Sequence, residues 1–298
     1  METNQRFSYP VFVHDRLQVL GHPFFHCYLV RGNDASALIE LGVSATADTV
    51  IGQLAAFDIR PDYLIIGHPH VDHINGLPAL RGAFPEARIV AGAGAKEFLA
   101  HPRTGPSLVH DDHFMTAFLK DKGIVNNRPP LTVGPLLDDD TFIAGEGDDI
   151  DLGGLTLEFL VAKGHSPGNL AVHIPQLRTL MVSDSLGYYL KCHRFFPIYF
   201  TGYGDYMETI DRLESLRPHI VAPAHQAFFQ GGDNVVKAFD LARQETEAMK
   251  KMILVNPGDD DRIIEEIFAE FYRDELLIYS RENIIGCCRL LLRRSREA

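Results

Sequence analysis

The spacing of apolar and polar residues switches repeatedly between two periods. Short apolar runs of strand length are followed by stretches whose apolar residues fall on one helical face. Residues 24–30 (FFHCYLV) and 36–41 (SALIEL) predict two adjacent strands joined by a turn at Gly32-Asn33-Asp34. Residues 46–58 place Val50, Ile51, Leu54 and Phe57 at helical spacing. A strand at 63–66, a helix at 76–83, a strand at 88–91 and a helix at 94–100 follow. Residues 101–140 break the alternation with RTGPS, NNRPP, three histidines and an acidic DDD, and hold one helix near 111–122. That length exceeds a bare connection and predicts an insertion or lid. Strands resume at 154–161, 170–174 and 179–183, then a helix at 205–216 and a strand at 219–223. From 234 onward three amphipathic helices are expected, at 234–254, 259–278 and 283–294. The pattern gives an α/β core over 1–233, with 101–140 as its insertion, and a helical cap over 234–298.

Composition narrows the class. Of 298 residues, 46% are hydrophobic and 23% charged, which excludes intrinsic disorder. No apolar run reaches the ~18 residues of a membrane span, so no membrane partner is expected. Forty acidic against 28 basic side chains give a net charge of −12, which argues against nucleic acid as a partner. METNQRFSYP has neither a basic n-region nor an apolar h-region, so no secretion signal is expected. Cys27, Cys192, Cys287 and Cys288 form no CxxC pair and read as reduced thiols, which points to a cytoplasmic protein.

The chemistry concentrates in Gly67-His68-Pro69-His70-Val71-Asp72-His73, directly after a strand. His68 and His70, two apart, face the same way in extended backbone. Asp72 and His73 follow at a turn into a helix. Imidazole and carboxylate together suit zinc, iron or manganese.

These residues resemble the HxHxDH motif of the metallo-β-lactamase-fold hydrolases. The resemblance continues at Gly164-His165-Ser166-Pro167-Gly168, at Ser183-Asp184 and at Pro223-Ala224-His225, each following an expected strand. It implies an αββα sandwich with metals at one edge between two sheets. It also implies two divalent ions, zinc first, with iron and manganese as alternatives. His68, His70 and His165 would hold the first ion and Asp72, His73 and His225 the second, with Asp184 and a water or hydroxide bridging. Asp72 would further orient the hydroxide. The sequence departs from the family pattern at Gly67 (usually Thr or Ser), Glu40 (commonly Asp), Ser183 (usually Gly) and Gln226 (usually Gly).

In whole-chain layout the sequence is most similar to the quinolone-signal response thioesterase group, whose C-terminal helices cover the active site. The resemblance implies hydrolysis of a thioester carrying a largely apolar acyl or aryl group, by attack of a metal-bridging hydroxide. Lactone or ester hydrolysis, a persulfide-dioxygenase type of oxidation and a regulatory role through partner binding are the alternatives. A homodimer through the C-terminal helices is compatible with the sequence. Tyr188 and Tyr189, just after Asp184, are candidates for donating to a substrate carbonyl, against an aromatic packing pair. Lys191, His193 and Arg194 read as a solvated loop, with an anion anchor as the alternative. Cys287 and Cys288 read as core thiols, with the pocket roof as the alternative. His101, His110 and His113 are too loosely spaced for a second metal site.

Overall fold

The computed structural model describes residues 9–125 and 128–297. In chain order its strands are β1 (Val11–His14), β2 (Leu17–His22), β3 (Phe25–Arg31), β4 (Ser36–Ile39), β5 (Tyr63–Ile65), β6 (Arg88–Gly92) and β7 (Phe142–Ala144). There follow β8 (Asp149–Asp151), β9 (Thr156–Val161), β10 (Leu170–Ile174), β11 (Thr179–Ser183), β12 (Tyr188–Leu190), β13 (Arg194–Phe196), β14 (Ile220–Pro223) and β15 (Phe229–Gln230). Strands β1 to β7 form one sheet in chain order, antiparallel as far as β4 and parallel from β4 to β7. The second sheet runs β15-β14-β11-β10-β9-β8, with β11 and β14 parallel; β12 and β13 make a separate ribbon.

The two sheets stack. Tyr28, Val30, Ile39, Ile65 and Val90 of the first meet Phe159, Val172, Met181 and Ala222 of the second in one dry cluster. Their neighbours Leu29, Leu38, Leu64, Ala91, Leu180 and Val182 belong to the other cluster, under the helices. Strands covered on both faces become continuous apolar runs, which is why FFHCYLV is readable as a strand without polar alternation. The helices are α1 (Ala47–Ala56), α2 (Val71–Ile74), α3 (Leu77–Ala83), α4 (Ala95–Ala100), α5 (Thr104–Asp121), α6 (Tyr203–Ser215), α7 (Gly232–Leu254), α8 (Asp260–Phe271) and α9 (Arg281–Glu297). The αββα sandwich expected from the resemblance is the fold observed.

Four features differ from the sequence expectation. The strands β1, β2, β7, β8, β12, β13 and β15 were not expected; most are two to four residues long, too short to establish a period. The RTGPS turn signal lies at the start of α5, where Pro106 falls in the first turn and its missing N–H costs no hydrogen bond. The predicted helix over 259–278 stops at Phe271; Tyr272 and Arg273 leave helical geometry, Asp274 takes φ 49°, and a short 3₁₀ turn, Asp274–Ile278, follows. Arg194 is not in a solvated loop. Its guanidinium bonds both oxygens of Glu245 on α7 (2.6 and 2.7 Å) and Glu270 on α8 (2.7 Å), tying the ribbon to both helices.

Ile253, Ile263, Ile267, Leu291 and Leu292 of the last three helices share one buried cluster with Phe195, Tyr199 and Leu213. Among the described residues no helix is long and apolar enough to cross a membrane.

Candidate metal centre

The ends of β5, β9, β11 and β14 reach one edge of the sandwich, and each releases a turn carrying titratable side chains. β5 leads to His68 and His70 and into α2, which carries Asp72 and His73. His165 follows β9, Asp184 follows β11 and His225 follows β14. All but His70, which is part-exposed, are buried.

The inward atoms converge. His68 Nε2, His70 Nδ1 and His165 Nε2 lie 2.9, 3.1 and 3.1 Å apart. Nitrogen donors around a tetrahedral zinc are about 3.3 Å apart, so this triangle has nearly the dimensions of one face of such a site. Asp72 Oδ2 lies 3.6 Å from His73 Nε2 and 3.4 Å from His225 Nε2. Asp184 spans the two groups: Oδ2 is 3.5 Å from both His165 and His73, and Oδ1 is 3.3 Å from His225.

Outward hydrogen bonds set the tautomers. Nδ1 of His165 donates to the Ile198 carbonyl (2.7 Å), that of His225 to the Phe24 carbonyl (2.5 Å) and that of His73 to Glu40 Oε2 (2.7 Å). His68 Nδ1 pairs with Ser183 Oγ at 3.0 Å. A carbonyl can only accept, so Nε2 of His165 and of His225 carries its lone pair inward. His73 Nε2, His225 Nε2 and Asp184 Oδ1 are buried without a hydrogen-bond partner. Buried polar atoms are ordinarily paired, so these orphans, clustered with the other candidate ligand atoms, fit cations as the missing partners.

Protonation follows the same division. Burial holds His68, His70 and His165 toward the neutral form, His70 at about 3. Burial also opposes charge on His73 and His225, but the carboxylates facing them outweigh it and raise both. Burial opposes charge on Asp184 as well, yet His73 and His225 hold its carboxyl well below the usual range. The first trio therefore offers neutral nitrogen, whereas a cation taken up by the second group would displace the protons that the carboxylates favour on His73 and His225.

The departures from the family pattern at positions 40, 67 and 183 form one arrangement. A Cβ on Gly67 would lie 2.1 Å from Glu40 Oε1 and 2.6 Å from Ser183 Oγ. The bare glycine leaves room for the two side chains that hold His73 and His68. Glu40, Ser183 and Gln226 all take positive φ (66°, 47° and 63°), conformations that non-glycine residues rarely adopt.

Above these residues lies a cavity of about 640 Å³. Its floor includes His70, Asp72, His165 and Asp184, and its walls are Phe98, Leu108, Phe196, Ile198 and Phe200. The roof comes from α5 and from the segment Leu276–Leu290; α7 and α8 do not line it. Tyr188 lines the cavity, its ring stacked on His225 (centroids 4.5 Å apart) and its hydroxyl accepting from Gln226 Nε2 at 3.3 Å. Tyr189 is not among the lining residues: strand alternation turns it to Phe195 and Phe229, and its hydroxyl pairs with His193 Nδ1 at 2.9 Å. The two cysteines on α9 divide, Cys287 lining the cavity and Cys288 buried in the core. His101 lies at the cavity margin and His113 bonds the Leu131 carbonyl; no metal-ligating group among the described residues includes them or His110. Tyr279, whose hydroxyl donates to Asp72 Oδ2, has no counterpart in the sequence reading. It lies 207 residues from its partner and belongs to no motif.

The fold and the ligand set together define a class. The family model of the metallo-beta-lactamase superfamily matches residues 25–225, and the chain belongs to that superfamily. It is 26% identical over 209 residues to the metallo-beta-lactamase fold-containing protein ST1585 of Sulfurisphaera tokodaii, covering 66% of this chain and 71% of that one. It is 27% identical over 148 residues to the hydroxyacylglutathione hydrolase of Aeromonas hydrophila, covering 50% of this chain and 42% of that one. The metallo-beta-lactamase family protein TTHA1429 of Thermus thermophilus shares the fold, with a TM-score of 0.66 at 17% identity over 96% of this chain and 95% of that one.

Proposed function

We propose that this protein is a dinuclear metal-dependent hydrolase acting on thioesters of a largely apolar acyl or aryl group. The observation that carries the reading is the convergence of seven candidate ligand side chains, with orphaned buried atoms, at the base of a largely apolar cavity whose floor His70, Asp72, His165 and Asp184 form. His68, His70 and His165 would hold one ion, Asp72, His73 and His225 the other, with Asp184 shared. Divalent ions held there would lower the pKa of bound water toward neutrality and polarise a carbonyl. The chain supplies the rest. Phe98, Phe196 and Phe200 would receive the apolar group and exclude water. Tyr188, fixed by His225 and Gln226, would present its hydroxyl to the carbonyl at the cavity floor. A thiolate leaves readily, so cleavage of a thioester needs no strong general acid. The acylglutathione linkage named for the Aeromonas relative is itself a thioester, which supports this bond over a lactone.

The test is turnover of an aryl-CoA, a short acyl-CoA, an acyl-glutathione and a homoserine lactone by metal-loaded protein, with metal-free protein as blank. Metal-dependent cleavage of one thioester above the lactone is expected. Protein that contains two metal ions and turns over none of the thioesters refutes the proposal.

A further inference from the structure

We infer that Tyr279 is a positioning residue of the metal centre: through its hydrogen bond to Asp72 it makes the C-terminal segment part of the site. The inference rests on the dinuclear reading above. The bond is short, 2.5 Å, and both partners are buried. It falls on Asp72 Oδ2, the oxygen that faces both His73 Nε2 and His225 Nε2. A carboxylate oxygen has two lone pairs; with one taken by the phenol, the other is directed at the ligand group. The hydroxyl thereby fixes the carboxylate rotamer and tempers its charge, the two ways in which an outer partner tunes a ligand.

The surrounding structure holds the phenol in place. Its ring meets Tyr188 edge-on at 5.8 Å, and Tyr188 is stacked on His225. The Tyr279 carbonyl accepts from the Tyr272 hydroxyl at 3.0 Å, and its N–H donates to Leu276 at 3.1 Å. The end of α8 at Phe271 makes this possible. The chain then turns through the 3₁₀ segment and runs extended at Tyr279, between two helices, so that one side chain reaches down to the ligands. The sandwich thus supplies all seven ligands, but one of them is oriented from outside it.

Metal-free protein would be titrated with Zn²⁺ against a chromophoric chelator. Wild type is expected to show two sites per chain. Tyr279→Phe, which keeps the ring, should weaken one of them by about 10–100-fold and leave the other unchanged. The weakened site should be the one that His225→Ala abolishes. Asn283→Ala is the control for a loosened roof: Asn283 ties α9 to Asp111 on α5 (3.1 Å) and has no hydrogen bond to a ligand, so both affinities should stay at wild-type values. Unchanged affinities in Tyr279→Phe overturn the inference, as does equal weakening in Asn283→Ala. Wild-type protein that binds no zinc overturns the dinuclear reading itself, a result distinguishable from either.

Discussion

Gly67→Ala is the smallest change that reaches both halves of the metal centre at once. The added Cβ would lie 2.1 Å from Glu40 Oε1 and 2.6 Å from Ser183 Oγ. An ordinary carbon–oxygen approach is about 3.3 Å, so the Glu40 carboxylate has to retreat by roughly an ångström. It has little freedom to do so, because Glu40 is buried at φ 66° and its other oxygen accepts from His73 Nδ1 at 2.7 Å. Overpacking costs about 1–3 kcal/mol, and losing a charge-assisted hydrogen bond about 1.5–3 kcal/mol. These costs overlap, and a net loss of about 2–4 kcal/mol lowers the Tm of a chain of this length by roughly 3–6 °C. With His73 and His68 both released from their outer partners, metal affinity should fall about 10–100-fold. Thermal unfolding of the metal-free protein and chelator-competition titration read the two effects separately. Glu40→Asp in the Gly67→Ala background withdraws the carboxylate by one methylene and should restore part of the affinity. Wild-type affinity in Gly67→Ala, or a double variant no better than the single one, refutes the steric account.

Three further outcomes follow from particular contacts. Ser183→Gly removes the partner of His68 Nδ1 but also relieves a non-glycine residue at φ 47°. The strain of about 1–3 kcal/mol should offset the lost hydrogen bond, so Tm stays level or rises while zinc affinity drops; a fall in Tm with unchanged affinity contradicts this. Arg194→Ala frees α7 and α8 from the ribbon and removes a guanidinium 5.1 Å from the Phe271 ring, for a loss of about 1 kcal/mol that should shrink in high salt. A salt-independent Tm difference, measured in low and high chloride, counts against that assignment. Burial, with Lys191 nearby, lowers His22 to about 4, and burial lowers His26 to about 3, against about 6.5 in the unfolded chain. The unfolded state therefore binds more protons below pH 6.5, and stability falls as pH drops from there toward the folded-state values. His22→Phe keeps the aromatic stacking with Tyr9 and Phe24 and should flatten the decline of Tm between pH 6.5 and 4.5; an unaltered slope refutes it.

Much of the site was legible because its ligands sit in short local motifs after strands. Three imidazoles and a carboxylate within 68–73 can be recognised without knowing what lies opposite. What holds them was less legible. Glu40 and Ser183 stood out only as departures from a pattern, and their reason appears once Gly67 is seen between them. Tyr189 was indistinguishable from Tyr188 in sequence; the pleat of β12 turns one toward the cavity and the other toward Phe229. Arg194 read as part of a solvated loop because its partners, Glu245 and Glu270, are remote in sequence and come from two different helices.

The sequence by itself determined the alternation of strands and helices and the order of the turns that carry the candidate ligands; the sandwich class followed from the resemblance that those turns carry. The alternation is written in local periodicity, and the turns in residues that act within a few positions of each other. Only the tertiary structure decided which lone pairs face inward, that the roof comes from α5 and the segment Leu276–Leu290, and that Tyr279 reaches Asp72. The reason is physical. A helix stripe records that one face is buried but not against what, and a hydrogen bond spanning 207 residues exists only after the break beyond Phe271 and the packing of α9 have fixed both of its ends.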